Sequence, residues 1–243
     1  YVGALRGAVL RRCPEAQLVD ICHDIVPQDV ASAADVLRLA CLEFPPETVH
    51  VVVVDPGVGT ERTPVLVRAC GMWWVGPDNG VFSLVNAQCP AERVYAIENM
   101  TLCSPTVSHT FHGRDVFGPI AGYIANGGDP DRVGAKTALH GRIPEVKSPT
   151  VQSDRIVGTV VTIDHFGNLI TNIEETDIGS RGRSVLLPSQ EMCPLVSTYG
   201  DENPGDLVAL VGSSGRLEVA VVNGDASARL QLSRGACITI LLD

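Results

Sequence analysis

Apolar residues along the first 125 positions fall into two spacings. In residues 2–10, Val2, Leu5 and Val9 lie on one helical stripe, with Ala4, Gly7 and Ala8 small enough for a neighbour to pack closely beside it. The chain therefore opens inside a helix. Residues 17–21 are a short strand candidate, and residues 30–42 repeat apolar side chains at helical spacing behind Asp29, a residue type that caps helices. Residues 49–54, the most apolar and β-branched run, predict a strand buried on both faces. Residues 65–67 and 72–75 flank a reversal, and Asp78-Asn79-Gly80 is a turn leading into the apolar stretch 81–85. Residues 117–125 predict a helix stopped at Asn126-Gly127-Gly128. This alternation predicts a layered α/β domain over residues 1–145 with a mostly parallel sheet.

Beyond Pro144, Lys147, Ser148 and Pro149, a linker by composition, helical periodicity nearly disappears. Short strands are expected at 156–163, 169–173, 184–187, 207–211, 217–222 and 236–241. A small antiparallel barrel or sandwich over residues 152–243 is the economical reading.

Composition narrows the partners. The 243 residues are 45% hydrophobic and 19% charged, enough apolar material for one sizeable core or two modest ones. The net charge of −10, with acidic residues scattered, offers no basic stripe to displace counterions from a phosphate backbone, so no nucleic-acid partner is expected. No window reaches the ~18 to 20 apolar residues of a bilayer span, and no charged region precedes a short apolar stretch at the start, so a soluble protein with no membrane partner is expected. The eight cysteines are spread out with no C-x-x-C pair, and they predict reduced core thiols in a cytoplasmic protein rather than a disulfide framework.

Three polar clusters interrupt the apolar scaffold. Asp55-Pro56-Gly57-Val58-Gly59-Thr60-Glu61-Arg62 follows the valine-rich strand, and ligands of open α/β sheets bind beyond strand carboxyl ends. It is a poor phosphate loop, lacking both Gly-Lys-Ser/Thr and a completed G-x-G-x-x-G, and by itself it reads equally as a strand-ending turn capped by Asp55. Thr110-Phe111-His112-Gly113-Arg114-Asp115 sets a histidine in a polar turn ahead of a helix, where it can orient a substrate, shuttle protons or do neither. His109 and His112 have no third ligand at a familiar spacing, so no metal and no cofactor is expected. The third cluster, Asp164-His165-Phe166-Gly167-Asn168, joins two strands; it offers an ammonium acceptor, an amide and a stacking face, or is simply a hairpin turn. Two further turns, at 212–218 and 223–226, could contact a heterocycle through backbone groups. The residues alone stop at a small-molecule enzyme or binder with Asp55, Arg62 and His112 as candidate site residues.

In this order the clusters resemble the S-adenosyl-L-methionine hydrolase (adenosine-forming) family, also called hydroxide adenosyltransferases, related to fluorinase and chlorinase. The resemblance spans nearly the whole chain. It rests on Val19-Asp20-Ile21-Cys22-His23 with Pro27-Gln28-Asp29-Val30, on Val54-Asp55-Pro56-Gly57-Val58-Gly59-Thr60, and on Pro77-Asp78-Asn79-Gly80, Phe111-His112-Gly113-Arg114-Asp115 and Asp164-His165-Phe166-Gly167-Asn168. It implies an N-terminal α/β domain, a C-terminal β-barrel, and a homotrimer with active sites between one subunit's first domain and its neighbour's second. Asp55, Arg62 and His112 match the hydrolase triad. Asp164, Phe166 and Asn168 match the turn that holds the methionine portion and the base, and Ser213, Glu218 and Val221 fall where the barrel contacts amino acid and adenine.

The implied reaction is water attack on the ribose 5′ carbon, releasing adenosine and methionine. The halogenating relatives replace this aspartate and lack the histidine in its Phe-His-Gly context. Family members begin with a strand ending in Asp-Phe-Gly ahead of the position of Tyr1, and that aspartate grips the ribose hydroxyls; this chain is expected to lack that first strand. A non-catalytic adenosine- or S-adenosyl-L-methionine-binding module, a halogenase and an interaction scaffold are the alternatives.

Overall fold

The computed structural model describes residues 1–144 and 147–243, so residues 145 and 146 of the expected linker lie outside the described residues. The chain divides into two compact units, Tyr1–Pro144 and Glu145–Asp243.

The first unit opens with α1 (Val2–Arg12) and α2 (Val30–Ala40), followed by β1 (Val49–Val51), β2 (Pro64–Ala69), β3 (Met72–Pro77), α3 (Ser83–Gln88), β4 (Arg93–Ala96) and α4 (Gly118–Ala125). Asp29 caps α2, accepting the Ser32 N–H at 3.0 Å, so the sequence stop-and-start signal there acts as expected. The strand order is β1-β3-β2-β4. Side chains alternate across the sheet: Leu66, Val75 and Tyr95 pack with Val9, Phe117 and Ile120 on one face. Val65, Val67, Trp74 and Val94 pack with Leu37, Phe82 and Val85 on the other. The result is a helix-sheet-helix sandwich.

Three sequence expectations change here. The sheet is mixed: β1 pairs parallel with β3, whereas β2 pairs antiparallel with both β3 and β4. The reason is the tight reversal at Cys70-Gly71, both with positive φ (49° and 69°), because a two-residue hairpin can join only antiparallel strands. The valine run is an edge strand rather than one buried on both faces; only 49–51 join the ladder and Val53 is 41% exposed. Residues 17–21 form no strand. Asp20 there is occupied by side chains, pairing with Arg6 and with His23.

Helix α1 lies on α4 through glycine. A Cβ on Gly122 would stand 2.5 Å from the Val9 carbonyl oxygen, and one on Gly118 would stand 2.9 Å from Ala8 Cβ. Ala8 is thus the small residue of α1 that matters, while Gly7 faces open space.

The thiols also depart from expectation. Cys70 at the hairpin tip and Cys89 at the end of α3 form a disulfide, with Cα atoms 5.7 Å apart. Of the six free cysteines, Cys13, Cys41, Cys103 and Cys193 are buried, and Cys22 and Cys237 are exposed.

The second unit runs β5 (Thr150–Val151), β6 (Arg155–Ile163), β7 (Leu169–Glu174), α5 (Glu175–Ile178), β8 (Gly182–Leu186), β9 (Met192–Pro194), β10 (Leu207–Val211), β11 (Arg216–Val221), α6 (Ala226–Leu230) and β12 (Cys237–Leu242). Its strands follow the order β10-β11-β7-β6-β12-β8-β9 with antiparallel pairing throughout. Leu195 bridges Ala209, and the Val196 N–H donates to the Ala209 carbonyl at 2.8 Å, which brings the two ends of the sheet together into a nearly closed barrel. Alternate residues of each strand, among them Ile156, Leu169, Leu217, Val219, Ile238 and Ile240, fill its interior. The fold class is therefore the expected α/β unit followed by a small antiparallel β-barrel.

Candidate active site

The Asp55 loop is held by hydrogen bonds as it leaves the edge strand. Asn79, in the turn after β3, donates its side-chain amide to the Val54 carbonyl at 2.9 Å. The chain then reverses, with the Val58 N–H donating to the Asp55 carbonyl at 3.2 Å and the Thr60 hydroxyl to the Gly57 carbonyl at 2.7 Å. Gly59 takes φ +76°, and a Cβ there would lie 2.3 Å from the His109 carbonyl oxygen. Only glycine allows that approach. It presses the Asp55 loop against the loop that carries His112.

Within this contact Arg62 grips Asp55. Its Nε donates to both carboxylate oxygens at 2.9 and 3.0 Å, and Nη2 donates to Oδ2 as well. The same Nη2 lies 2.7 Å from Nδ1 of His112. The side chains of Asp55 and Arg62 are only 5% and 8% exposed. Phe117 closes the back, with its ring centroid 5.4 Å from the guanidinium carbon and an edge contact to His112. Buried Arg62 Nη1 has no hydrogen-bond partner among the described residues.

A guanidinium has no acceptor, so Nδ1 of His112 must be the acceptor and the ring's proton sits on Nε2. Charge works in the same direction. Burial lowers the His112 pKa, the Arg62 cation lowers it further, and Asp55 and Asp115 only partly oppose them, while His109 adds to the lowering. His112 is thus a neutral imidazole that offers a donor on its free edge. Asp55 and His112 both line a cleft of about 620 Å³ whose walls include Ile21, Val26, Leu37, Val53, Val54 and Phe111.

In the barrel unit, Asp164 organises its own turn. Its Oδ1 accepts the N–H groups of Phe166 and Asn168 at 2.9 and 2.8 Å, and Oδ2 accepts the Asn168 amide at 2.9 Å. Phe166 stands out from this turn, 73% exposed, while Asn168 is buried. Glu218 is buried on β11 and accepts a hydrogen bond from the Tyr199 hydroxyl. Desolvation, with the Asp164 charge adding to it, raises the Glu218 pKa against the lowering effect of Tyr199. Gly212 makes room for this carboxylate, since a Cβ there would fall 2.2 Å from Oε2. Ser213 is exposed in the adjoining turn, and the buried hydroxyl of its neighbour Ser214 lacks a partner among the described residues. Val221 is not part of this group; it packs inside the barrel, on the opposite face of β11 from Glu218.

Tyr199 is the side chain that sequence reasoning missed. Thr198-x-x-Asp201 carries a capping-box signal, so the turn itself was readable, but nothing local says that its phenol reaches β11.

Two family models match the chain: the SAM hydroxide adenosyltransferase N-terminal domain over residues 1–134 and the corresponding C-terminal domain over residues 158–239. The chain belongs to the SAM hydroxide adenosyltransferase family. An (R)-S-adenosyl-L-methionine hydrolase of Thermus thermophilus is 35% identical over 99% of this chain and 94% of its own length. Another from Salinispora tropica is 34% identical over 97% of this chain and 90% of its own. A fluorinase of Nocardia brasiliensis stands further off, 29% identical over 90% of this chain and 85% of its own. Among solved structures, an uncharacterized conserved protein from Thermotoga maritima is 34% identical and superimposes with a TM-score of 0.89, covering 99% of this chain and 94% of its own. Within this hydroxide adenosyltransferase fold, Asp55 and His112 bring one carboxylate and one neutral imidazole to an apolar cleft, and the Arg62 guanidinium bonds to both. Such a set can hold and polarise a water molecule without a metal. Among the described residues, no helix is long and apolar enough to cross a membrane.

Proposed function

We propose that this protein is an enzyme that hydrolyses S-adenosyl-L-methionine to adenosine and L-methionine, the reaction its named relatives suggest, and that it takes the (R) sulfonium epimer. The observation that carries the mechanism is that Asp55 and His112 line one apolar cleft while Arg62 bonds to both. Water attacks the ribose 5′ carbon as the carbon–sulfur bond breaks, and the electron pair of that bond stays on sulfur. The leaving group is a neutral thioether, so it needs no acid.

The demand falls on the nucleophile. Asp55, fixed by Arg62, accepts a hydrogen bond from the water and draws off its proton as the carbon–oxygen bond forms; the proton then passes to solvent. Arg62 fixes the carboxylate and the imidazole in place, and the Nε2–H of His112 is the donor that orients the water. Holding oxygen and carbon at near-attack distance supplies on the order of 7–11 kcal/mol in well-oriented systems, the largest contribution asked of the site.

Asp164, Phe166, Asn168, Ser213 and Glu218 are proposed to bind the substrate through their side chains, and Val221, whose side chain lies inside the barrel, through its backbone. Asp164 and Glu218 suit a cationic amino group, and Phe166 suits a flat base. We further propose a homotrimer in the cytoplasm; light scattering that finds only monomer at working concentration removes the first, and activity recovered outside the cytosolic fraction on cell fractionation removes the second.

The decisive experiment mixes purified protein with the (R) substrate in ¹⁸O-water and separates the products. Adenosine carrying one heavy oxygen at its 5′ hydroxyl, with an equal amount of methionine, is expected. Adenosine binding by calorimetry without any turnover would instead support a sensor module, and a 5′-halogenated nucleoside formed in the presence of halide would support a halogenase.

A further inference from the structure

Arg114 and Asp115 complete the motif that contains His112, and the hydrolytic mechanism leaves them without a task. Asp115 is nevertheless one of the most deeply buried charged residues, 2% exposed, at the first turn after the histidine. It ties down the loop before it at three places. Its backbone carbonyl accepts the Ser104 N–H at 2.8 Å, its carboxylate Oδ2 accepts the Ser108 N–H at 2.9 Å, and its own N–H donates to the Phe111 carbonyl at 3.1 Å. The carboxylate is itself held by Arg114, whose Nε and Nη2 donate at 2.6 and 2.8 Å. That guanidinium lies over the Phe111 ring, 4.9 Å from its centroid. The loop so pinned is the one whose His109 carbonyl abuts Gly59 and whose end presents His112 to Arg62.

We propose that Asp115, braced by Arg114, is a positioning residue that fixes the 104–112 loop so that Nδ1 of His112 meets Arg62. Asp115 touches neither Asp55 nor the cleft; it acts through the loop. Without the clamp the imidazole loses its fixed partner, and both of its tautomers become available. This inference rests on the hydrolytic reading only for its effect on turnover, and its structural part stands apart from it.

The test is Asp115→Asn, which keeps the shape but removes the charge and turns an amide toward the Arg114 donors. Imidazole ¹⁵N spectra, with the His112 signals assigned by their loss in His112→Ala, give the direct readout. In the unaltered protein one His112 nitrogen should resonate as unprotonated Nδ1 and the other as protonated Nε2. In Asp115→Asn the two should move toward each other, while kcat falls about 10- to 100-fold, as expected for a group displaced by ~1 Å, and KM changes less than about threefold.

His112 signals that stay in place overturn the proposal whatever kcat does. If Asp115→Asn does not fold, Arg114→Gln at the more exposed end of the clamp answers the same question: the signals should shift part of the way, and unmoved signals overturn the idea. An inactive unaltered enzyme would count against the reaction, whereas unmoved imidazole signals count against the clamp, so the two failures are distinguishable.

Discussion

Replacing Arg62 with methionine should destabilise the first unit far more than the loss of one surface ion pair would. Asp55 and Arg62 are 5% and 8% exposed, and three guanidinium hydrogen bonds satisfy the carboxylate. Removing the cation leaves a carboxylate with little access to water, which typically costs about 3–5 kcal/mol. Methionine fills much of the arginine volume and keeps an apolar contact to Phe117, so the loss reports charge rather than a cavity. Changing both partners, Asp55→Asn with Arg62→Met, should recover most of that stability, because no unpaired charge remains.

Both tryptophans of the protein, Trp73 and Trp74, lie on β3, so urea unfolding followed by their fluorescence reports the first unit alone. With a urea slope of about 2 kcal/mol per molar, the single change should move the midpoint down by about 1.5–2.5 M. The double change should return more than half of this. Turnover should fall at least ~100-fold in the single change and stay low in the double, which separates the structural from the chemical part of the pair. A midpoint shift below about 0.5 M, or a double variant no more stable than the single, would refute the reasoning.

Three other tests bear on different parts of the molecule. Gly59→Ala meets both a positive φ and the His109 carbonyl, so it should cost about 2–4 kcal/mol in the same assay and lower kcat as the two loops part; full activity would show that their contact is dispensable. His50 is buried edge-on against Phe44, and burial lowers its pKa to about 4 from an ordinary 6.5. The unfolded chain therefore takes up the proton first as the medium is acidified. This part of the stability, up to about 3 kcal/mol, is complete above pH 6.5 and lost as pH falls to 4, and His50→Leu should flatten the profile in that window. Reducing Cys70–Cys89, which are separated by 19 positions, should lower stability by about 3 kcal/mol; alkylation of unfolded, unreduced protein should count six thiols, and eight would disprove the bond.

Local patterns announced most of the elements, and the exceptions share a cause. Asp29 and the apolar spacing behind it place α2 correctly because capping and amphipathicity are local. The barrel strands at 207–211 and 216–221, the second one residue off the expected 217–222, were readable because each is a short apolar run between turn residues, buried along almost its whole length. β4 escaped notice, since Arg93–Ala96 is four residues long and owes its strand state to β2 beside it. The valine run read as central because apolar content does not say how many neighbours a strand has. Sequence order could nominate Asp55, Arg62 and His112 only as separate turns. Their meeting depends on Gly59 lying against His109, a contact between loops that no spacing encodes. The disulfide was missed for the same reason: Cys70 and Cys89 look like scattered thiols until the hairpin and α3 bring them side by side.

The segment between His112 and α4 has a mechanical consequence. Residues Gly113–Phe117 form a single π turn, which carries one more residue than an α turn would, and Gly118–Ala125 continues from it. Each residue of an α-helix advances the winding by about 100°. Deleting one residue from this turn would therefore swing the Gly118 and Gly122 groove off α1 or swing His112 off Arg62, because one rod carries both. The helix that seats the N-terminal helix and the helix that aims the imidazole are geared to each other, so length changes in this stretch would damage packing and chemistry in one stroke, whereas substitutions there can damage them separately.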